Sequence, residues 1–259
     1  MVDERETRSE LMPAAGRVVM LSGGSSGIGA AIARRLANEG YRLSLAGRRP
    51  REIAAKFASS ADPPLVSRFD ALDSASAEAW LGATLESFGR VDALINNAGR
   101  AWVAAPEDLP LERWQQVFDL NITGPFLCAQ ALGREMIKAK RGKIINIASI
   151  AGLVGRNPKA YNSIAYGTSK GALVNFTRDL AVKWAQHNIQ VNAICPGFFV
   201  TPINEKMFVK NSEQILREIP LARVGGDDDL KGIAVLLASD ASNFMTGAVI
   251  PIDGGSTAW

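Results

Sequence analysis

Residues 17–40, RVVMLSGGSSGIGAAIARRLANEG, are the part of this chain that indicates its fold most clearly. An apolar run typical of a buried strand leads into a glycine-rich turn, and a helical pattern follows directly. Glycines in such a turn let the backbone approach a pyrophosphate, and the helix offers free N–H groups and the positive end of its dipole. An ordinary tight turn is the alternative, but the position between strand and helix favours a dinucleotide site. Its predicted residues are Gly23, Ser25, Ser26, Gly27, Ile28 and Gly29.

Short runs rich in Leu and β-branched residues alternate with amphipathic stretches along the rest of the chain, which predicts βαβ units. The runs are apolar almost throughout, so helices should cover both faces of the sheet. We therefore expect an α/β fold, a single-domain doubly wound (Rossmann-type) parallel sheet of about seven strands, over residues 17–259. The predicted strands are 17–22, 41–46, 65–69, 91–96, 142–148, 189–194 and 248–252.

Composition excludes several classes of function. The chain has 259 residues, a formal net charge of +3 with mixed signs and no long apolar run, so neither a membrane span nor a nucleic-acid surface is expected. Residues 1–16 are crowded with charge and lack the apolar stretch of a secretory signal, and we interpret them as a flexible tail. Two isolated cysteines, Cys128 and Cys195, match neither a disulfide framework nor a metal site. A cytoplasmic location is the expectation.

The single histidine, His187, also excludes more than it suggests. It lies where a helical pattern gives way to a strand, and we interpret it as a polar residue near a helix C-terminus. Without a second histidine, a Ser-His-Asp hydrolase or a His-based zinc site lacks its parts, so no metal is expected.

Charge after the second predicted strand indicates the preferred cofactor. An NAD-specific site usually places an acidic residue there to bind the ribose 2′-hydroxyl, whereas this chain has Arg48 and Arg49. An arginine pairs well with a 2′-phosphate, which favours NADP(H) while leaving NAD(H) open. A solvated pair that opens the next helix is the alternative. Four more residues follow strands three and four and should line the same crevice. They are Asp70 near the adenine, and Asn96, Asn97 and Gly99 in the segment INNAG.

Tyr166 and Lys170 stand four residues apart in a segment of helical period, so both side chains project from one face. A nearby Lys⁺ and an oxidised nicotinamide would stabilise a tyrosine phenolate, which predicts an acid/base role. Ser149, after the fifth strand, is placed to donate a hydrogen bond to a reacting oxygen. Asn121 lies in a segment that we read as a long apolar helix, where an interior amide or a helix kink is the alternative.

Together these residues resemble the classical short-chain dehydrogenase/reductase family from about Arg17 to Asp253. The segment SGGSSGIG is similar to the TGxxxGxG element of that family, with Ser22 in place of Thr, and NNAG matches outright. The catalytic tetrad of the family is matched in order by Asn121, Ser149, Tyr166 and Lys170.

The resemblance implies a role for each residue. Tyr166 would exchange the proton, Ser149 would orient the substrate oxygen, Lys170 would lower the Tyr166 pKa and hold the nicotinamide ribose, and Asn121 would support a water-linked proton relay. The segment CPGFFVT is similar to an element that contacts the nicotinamide carboxamide, here around Phe199 and Thr201. The ending IDGG resembles a segment near subunit interfaces, which implies a homotetramer or a homodimer.

One spacing departs from the family, because Ser149 and Tyr166 stand seventeen residues apart instead of about thirteen. We expect the extra residues in a loop that walls the substrate pocket, and we reject Ser163 as the catalytic serine because it is too close to the Tyr166 helix. Residues 200–228 are expected to form a substrate flap. The apolar residues expected in the pocket walls are Trp102, Val103, Leu153, Val154, Ile203, Met207 and Phe208.

These observations predict an NADP(H)-dependent oxidoreductase that moves a hydride between the nicotinamide and a carbonyl or secondary-alcohol carbon of a small organic substrate. A catalytically idle nucleotide-binding protein on the same fold, acting as a redox sensor or scaffold, is the alternative, because a fold alone does not establish activity. Sugar acids, 3-oxoacyl thioesters and cyclic ketones all remain open as substrates.

Overall fold

The structure is a computed structural model that describes Ala14 and residues 16–157, 161–201 and 204–259. Seven parallel strands form one sheet in the order β3-β2-β1-β4-β5-β6-β7. The strands are β1 (Val18–Ser22), β2 (Arg42–Gly47), β3 (Leu65–Arg68), β4 (Ala93–Asn96), β5 (Gly142–Ile147), β6 (Ile189–Pro196) and β7 (Val249–Ile252). The chain builds outward from β1 in one direction and then from β4 in the other, which is the doubly wound topology expected from the sequence.

Eight α-helices are described between and after these strands. They are α1 (Gly27–Asn38), α2 (Pro50–Lys56), α3 (Ser74–Phe88), α4 (Leu111–Phe118), α5 (Gly124–Ala139), α6 (Ile164–Trp184), α7 (Glu205–Arg217) and α8 (Asp227–Ala238). Short 3-10 turns add Pro106–Asp108, Ile150–Gly152, Ala185–His187 and Asp240–Ser242. His187 thus ends the turn that follows α6, in agreement with its interpretation as a helix C-terminal residue.

Two apolar clusters hold the helices against opposite faces of the sheet. One joins strand residues such as Leu21 to Ile32 of α1, Ile53 of α2 and Leu230 of α8. The other packs α3, α5 and α6 against the opposite face around the fully buried Trp80. Coverage on both faces explains why the strands are apolar almost throughout, because no strand face is left to solvent over the core.

The predicted strands are confirmed, with ends that differ by at most two residues; β4, for example, begins at Ala93 instead of residue 91. The long helix expected around Asn121 is not continuous. A π-helical turn, Asp119–Thr123, separates α4 from α5. Within the part of the chain that the structure describes, no helix combines the length and the apolarity that a bilayer crossing requires.

Candidate active site

A cavity of about 860 Å³ opens where the strands end at their carboxyl side. Its walls come from the turns after β1 to β6, so it crosses the point between β1 and β4 where the strand order reverses. Ligands of doubly wound sheets bind in this crevice. All residues predicted beside the cofactor line it except Asn96, namely Gly23, Ser25, Ser26, Gly27, Ile28, Gly29, Arg48, Asp70, Asn97, Gly99, Tyr166, Lys170, Phe199 and Thr201.

The turn after β1 forms a cradle in which Gly23 and Gly29 leave no room for a side chain. A Cβ atom at Gly29 would lie 2.3 Å from Asn97 Nδ2 and from the Gly23 carbonyl oxygen, and Gly23 itself has φ +78°. Asn97 holds this turn, since its Nδ2 donates to the Gly23 carbonyl at 3.0 Å. At the start of α1, Ser26 makes no side-chain cap and the first turn has no acidic residue, so backbone N–H groups remain for a ligand. This geometry fits the pyrophosphate of a dinucleotide.

Residues after β2 and β3 line one end of the cavity. These two strands lie at one edge of the sheet, away from β5. Arg48 is exposed and lines the cavity, while Arg49 also lines it and pairs with Glu52 at 3.1 Å. The Asp70 carboxylate accepts from the backbone N–H of Leu72 at 3.2 Å, which holds it at the cavity wall. A cation and a carboxylate are therefore both available to the adenosine half of a dinucleotide.

Tyr166 lines the cavity from the first turns of α6, and Ser149 from the end of β5. Burial raises the pKa of Tyr166, and a hydrogen bond from the Ser149 hydroxyl opposes that increase. Ser163 also lines the cavity, but it precedes α6 as the N-cap residue, whereas Ser149 is the serine that acts on the pKa of Tyr166. The structure thus brings the predicted tyrosine and serine together.

Lys170 lies one helical turn after Tyr166 and is 4 % exposed. Its Nζ donates to the Ile147 carbonyl oxygen at 2.6 Å and lies 5.7 Å from the centre of the Tyr166 ring. Burial lowers the pKa of Lys170 to about 8. In the protein alone the pKa of Tyr166 moves upward, opposite in sign to the decrease expected from Lys170, because loss of solvation outweighs the neighbouring groups.

Asn121 is fully buried inside the π-helical turn and does not line the cavity. Its Nδ2 donates to the Arg100 carbonyl oxygen at 3.0 Å and to Ser169 Oγ at 2.9 Å, and its Oδ1 accepts from the Arg100 N–H at 2.9 Å. Both amide hydrogens of the side chain are therefore used within the protein. These contacts join the segment after β4 to α6, and a role for Asn121 in a proton relay stays a prediction.

Phe199 and Thr201 follow β6, and a residue that the sequence reasoning missed holds both. Asn204 Nδ2 donates to the Phe199 carbonyl oxygen at 2.8 Å, and its Oδ1 accepts from the Thr201 N–H at 2.8 Å. Thr201 also packs against the glycine turn, where a Cβ at Gly27 would lie 3.0 Å from its Cγ2. Asn204 therefore fixes the wall that closes over the start of α1.

The pocket walls differ partly from the expectation. Trp102, Val103 and Met207 line the cavity, whereas Leu153, Val154 and Phe208 do not, and Ile203 lies outside the described residues. Leu153 packs instead against the core beneath the 3-10 turn, and Phe208 packs against Phe198. The sequence reasoning missed Arg100, Gln116, Arg156, Tyr161 and Asn204 among the lining residues, because no periodicity marks a polar side chain that turns into a crevice.

One predicted residue and one predicted segment remain to be placed, namely Asn96 and the flap. Asn96 is buried, and its Nδ2 donates to Asn146 Oδ1 at 2.9 Å between β4 and β5, so it serves the core and not the cavity. The segment expected as a flap contains helix α7, which contributes Met207 to the cavity and buries Ile215. A role for this helix in substrate binding stays a prediction.

The chain is similar to known proteins along nearly its whole length. A family model described as enoyl-(acyl carrier protein) reductase matches residues 23–257. A 3-oxoacyl-(acyl-carrier-protein) reductase of Synechocystis is 35% identical, over 92% of this chain and 96% of the relative. An NAD-dependent glycerol dehydrogenase of Listeria innocua is 34% identical, over 93% of this chain and 94% of the relative.

Solved structures share the whole fold. A gluconate 5-dehydrogenase from Burkholderia cenocepacia, in complex with NADP and tartrate, is 31% identical and has a TM-score of 0.89, covering 95% of this chain and 96% of that one. The relatives are named as dehydrogenases and reductases, which act on alcohol and carbonyl groups. The chain therefore belongs to the classical short-chain dehydrogenase/reductase family of oxidoreductases.

Proposed function

We propose that this protein is an NADP(H)-dependent oxidoreductase that interconverts a carbonyl and a secondary alcohol in a small organic substrate, with Tyr166 as the acid/base. The observation that carries the proposal is the convergence of Tyr166, Ser149 and Lys170 on one cavity that also contains a glycine cradle. When bound, the nicotinamide supplies or accepts the hydride. Consumption of NADPH with a panel of ketones and aldehydes tests the proposal, and binding without consumption would favour the idle alternative.

The residues of the site divide the work. In reduction, Tyr166 gives its hydroxyl proton to the carbonyl oxygen as negative charge develops there, and Ser149 donates a hydrogen bond to the same oxygen. Lys170 places a cation beneath Tyr166 and binds the nicotinamide ribose. Asn121 acts on Tyr166 indirectly. Its amide donates to the Ser169 hydroxyl, which in turn donates to the Tyr166 carbonyl at 2.8 Å.

The direction of the Tyr166 pKa shift predicts how rate depends on pH. Because burial raises this pKa, Tyr166 stays protonated at neutral pH, which suits the acid needed for reduction. Alcohol oxidation needs the phenolate, whose fraction increases about tenfold per pH unit below the pKa. We expect kcat for oxidation to rise with pH from about pH 6 to about pH 9 while kcat for reduction changes little. A flat oxidation profile, with an isotope effect showing that hydride transfer limits the rate, would argue against the phenolate as base.

Arg48 is proposed to select NADP(H) over NAD(H) by binding the 2′-phosphate. A charge-assisted hydrogen bond of this kind supplies a preference of roughly tenfold to a hundredfold. In Arg48→Asp the carboxylate repels the phosphate and accepts from a ribose hydroxyl, so the ratio of kcat/KM for NADPH over NADH should fall by at least that factor. Arg51→Asp is the matched control, because it makes the same charge change on α2 at an exposed residue that does not line the cavity. A wild-type ratio at or below unity would refute the assignment.

A substitution at Gly29 tests whether the glycine turn after β1 binds the cofactor. A methyl group at this position would overlap the Asn97 amide and the Gly23 carbonyl, so Gly29→Ala should cost about 1–3 kcal/mol in the free energy of unfolding and weaken NADPH binding. Urea unfolding and NADPH titration measure the two effects. Gly82→Ala is the control, since Gly82 is exposed in α3 with nothing within 4 Å of an added Cβ, and it should stabilise the protein by about 0.5–1 kcal/mol. Unimpaired NADPH binding in Gly29→Ala would contradict the cradle.

We also propose a cytoplasmic homotetramer. Exposed apolar side chains on neighbouring helices support self-association, since Phe126 of α5 is 45% and Val182 of α6 is 79% exposed. Both cysteines are free and buried, which suits a reducing compartment. Sedimentation of the purified protein as a monomer at micromolar concentration would contradict the tetramer.

A further inference from the structure

Arg156 belongs to the enlarged loop between Ser149 and Tyr166, and it lines the cavity with a side chain that is only 16% exposed. A guanidinium that has lost most of its water needs partners, because its charge is costly to bury. The neighbouring cavity residues Tyr161, Phe198 and Met207 are largely apolar. A mostly buried cation in such a wall is a means of binding an anion.

Two contacts hold Arg156 in place before any ligand arrives. Its guanidinium carbon lies 4.0 Å from the centre of the Tyr161 ring, and one of its terminal nitrogens lies 3.6 Å from Glu218 Oε2, just after α7. Asn157 Nδ2 in turn donates to the other oxygen of Glu218 at 3.5 Å. The planar group is therefore fixed between the loop and the segment after α7, which lowers the entropy that binding would cost.

The Glu218 contact leaves most of the guanidinium available. Within the described ranges, Glu218 is the one acid within 4 Å of Arg156, and the nearest nitrogen–oxygen distance between them is long, at 3.6 Å. A guanidinium has five N–H donors in a fork that matches a carboxylate with two parallel bonds. A second carboxylate can thus occupy another edge of the fork.

The charged residues that line the cavity also favour an anionic ligand. Among the described residues, Arg48, Arg49, Arg100, Arg156 and Lys170 line it, against the two carboxylates Asp70 and Asp119. The proposed function assigns Arg48 and Lys170 to the cofactor, and Arg49 lies beside Arg48. Arg100 and Arg156 remain for the substrate, and neither is assigned a role in hydride or proton transfer.

We propose that Arg156 binds a carboxylate of the substrate, so that the substrates are oxo acids and the corresponding hydroxy acids. This rests on the proposed function and specifies its substrate class. A monoanionic carboxylate is favoured over a phosphate dianion, because Glu218 already places one negative charge on the same guanidinium.

The test compares short oxo acids with their methyl esters, which keep the reacting carbonyl and remove the charge. Wild type should prefer the acid by about tenfold to a hundredfold in kcat/KM. Arg156→Gln should erase that preference by raising KM for the acid, with kcat for the ester unchanged, and Arg156→Lys should restore part of it. Calorimetric binding of a short alkanoate to the protein with NADP⁺, weakened in Arg156→Gln, gives a readout without turnover.

Arg113→Gln is the matched control. Arg113 makes the same kind of ring contact, 4.1 Å above Trp102, but does not line the cavity, so its loss should leave the preference intact. Equal use of acid and ester by wild type, a preference for a phosphonate analogue, or an equal loss for acid and ester in Arg156→Gln would each overturn the inference. In all three cases the ester or ketone is still reduced and the proposed function stands, whereas reduction of no carbonyl at all would refute the function itself.

Discussion

Tyr166→Phe should lower kcat for carbonyl reduction by about 10²–10⁴, while the protein still folds and still binds NADPH. The substitution removes the one hydroxyl that the proposal uses to transfer a proton. The ring is retained, and with it the packing of the half-buried side chain at the start of α6. Steady-state kinetics, NADPH titration and thermal unfolding of the variant measure the three parts of this result.

Tyr41→Phe is the matched control for the loss of a buried hydroxyl. Tyr41 is 3% exposed, its hydroxyl has no hydrogen-bond partner among the described residues, and it does not line the cavity. Its replacement should leave kcat unchanged and should not destabilise the fold, since an unpaired buried polar group is removed. If Tyr166→Phe kept near-normal turnover, the assigned acid/base role would be wrong.

Lys170→Met should be comparably damaging to turnover, by about 10²–10⁴, and should also weaken NADPH binding because the residue is assigned two tasks. Although it damages turnover, the same substitution should stabilise the fold. Burial lowers the Lys170 pKa from its ordinary 10.5 to about 8, so the unfolded chain binds more protons between those values and stability increases with pH there. Below about pH 8 the wild type carries the full cost of the buried charge, about 3 kcal/mol.

Replacement of Lys170 by Met removes the cost of the buried charge but also removes the hydrogen bond to the Ile147 carbonyl. The free energy of unfolding at neutral pH should therefore increase by about 1–2 kcal/mol. The gain should shrink as pH rises towards 10.5. Lys143→Met is the control, because burial also lowers the Lys143 pKa to about 8 but this residue does not line the cavity. Its loss should leave kcat intact. An equal decrease in kcat in both variants would mean that Lys170 affects turnover only through the structure of the folded protein.

The sheet and the cofactor cradle could be predicted from the sequence because their signals are local. Each strand is a short apolar run with both faces buried, and the glycine turn must accommodate close backbone contacts that exclude any Cβ at Gly29. Tyr166, Lys170 and Ser149 were also recoverable, because helical spacing and the end of β5 fix where they lie.

What the sequence did not reveal depends on contacts between distant segments. The amide of Asn121, in the π-helical turn, bonds to Arg100 and Ser169, which are 21 and 48 residues away. Arg156 is held by Glu218, far along the chain, and no periodicity of its own loop signals that contact. The upward shift of the Tyr166 pKa likewise follows from burial, which only the folded structure supplies.

The proposed function requires that hydride moves between a bound nicotinamide and a substrate carbon at the cavity beside Tyr166. The most direct measurement incubates the protein with NADPH deuterated at the transferable position of the nicotinamide and with a panel of ketones, oxo acids and their esters, followed by mass spectrometry of the products. We predict that wild type forms an alcohol with one deuterium on the former carbonyl carbon. Tyr166→Phe should form almost none of this labelled alcohol. Tight binding of NADPH with no labelled alcohol from any member of the panel would contradict the claim.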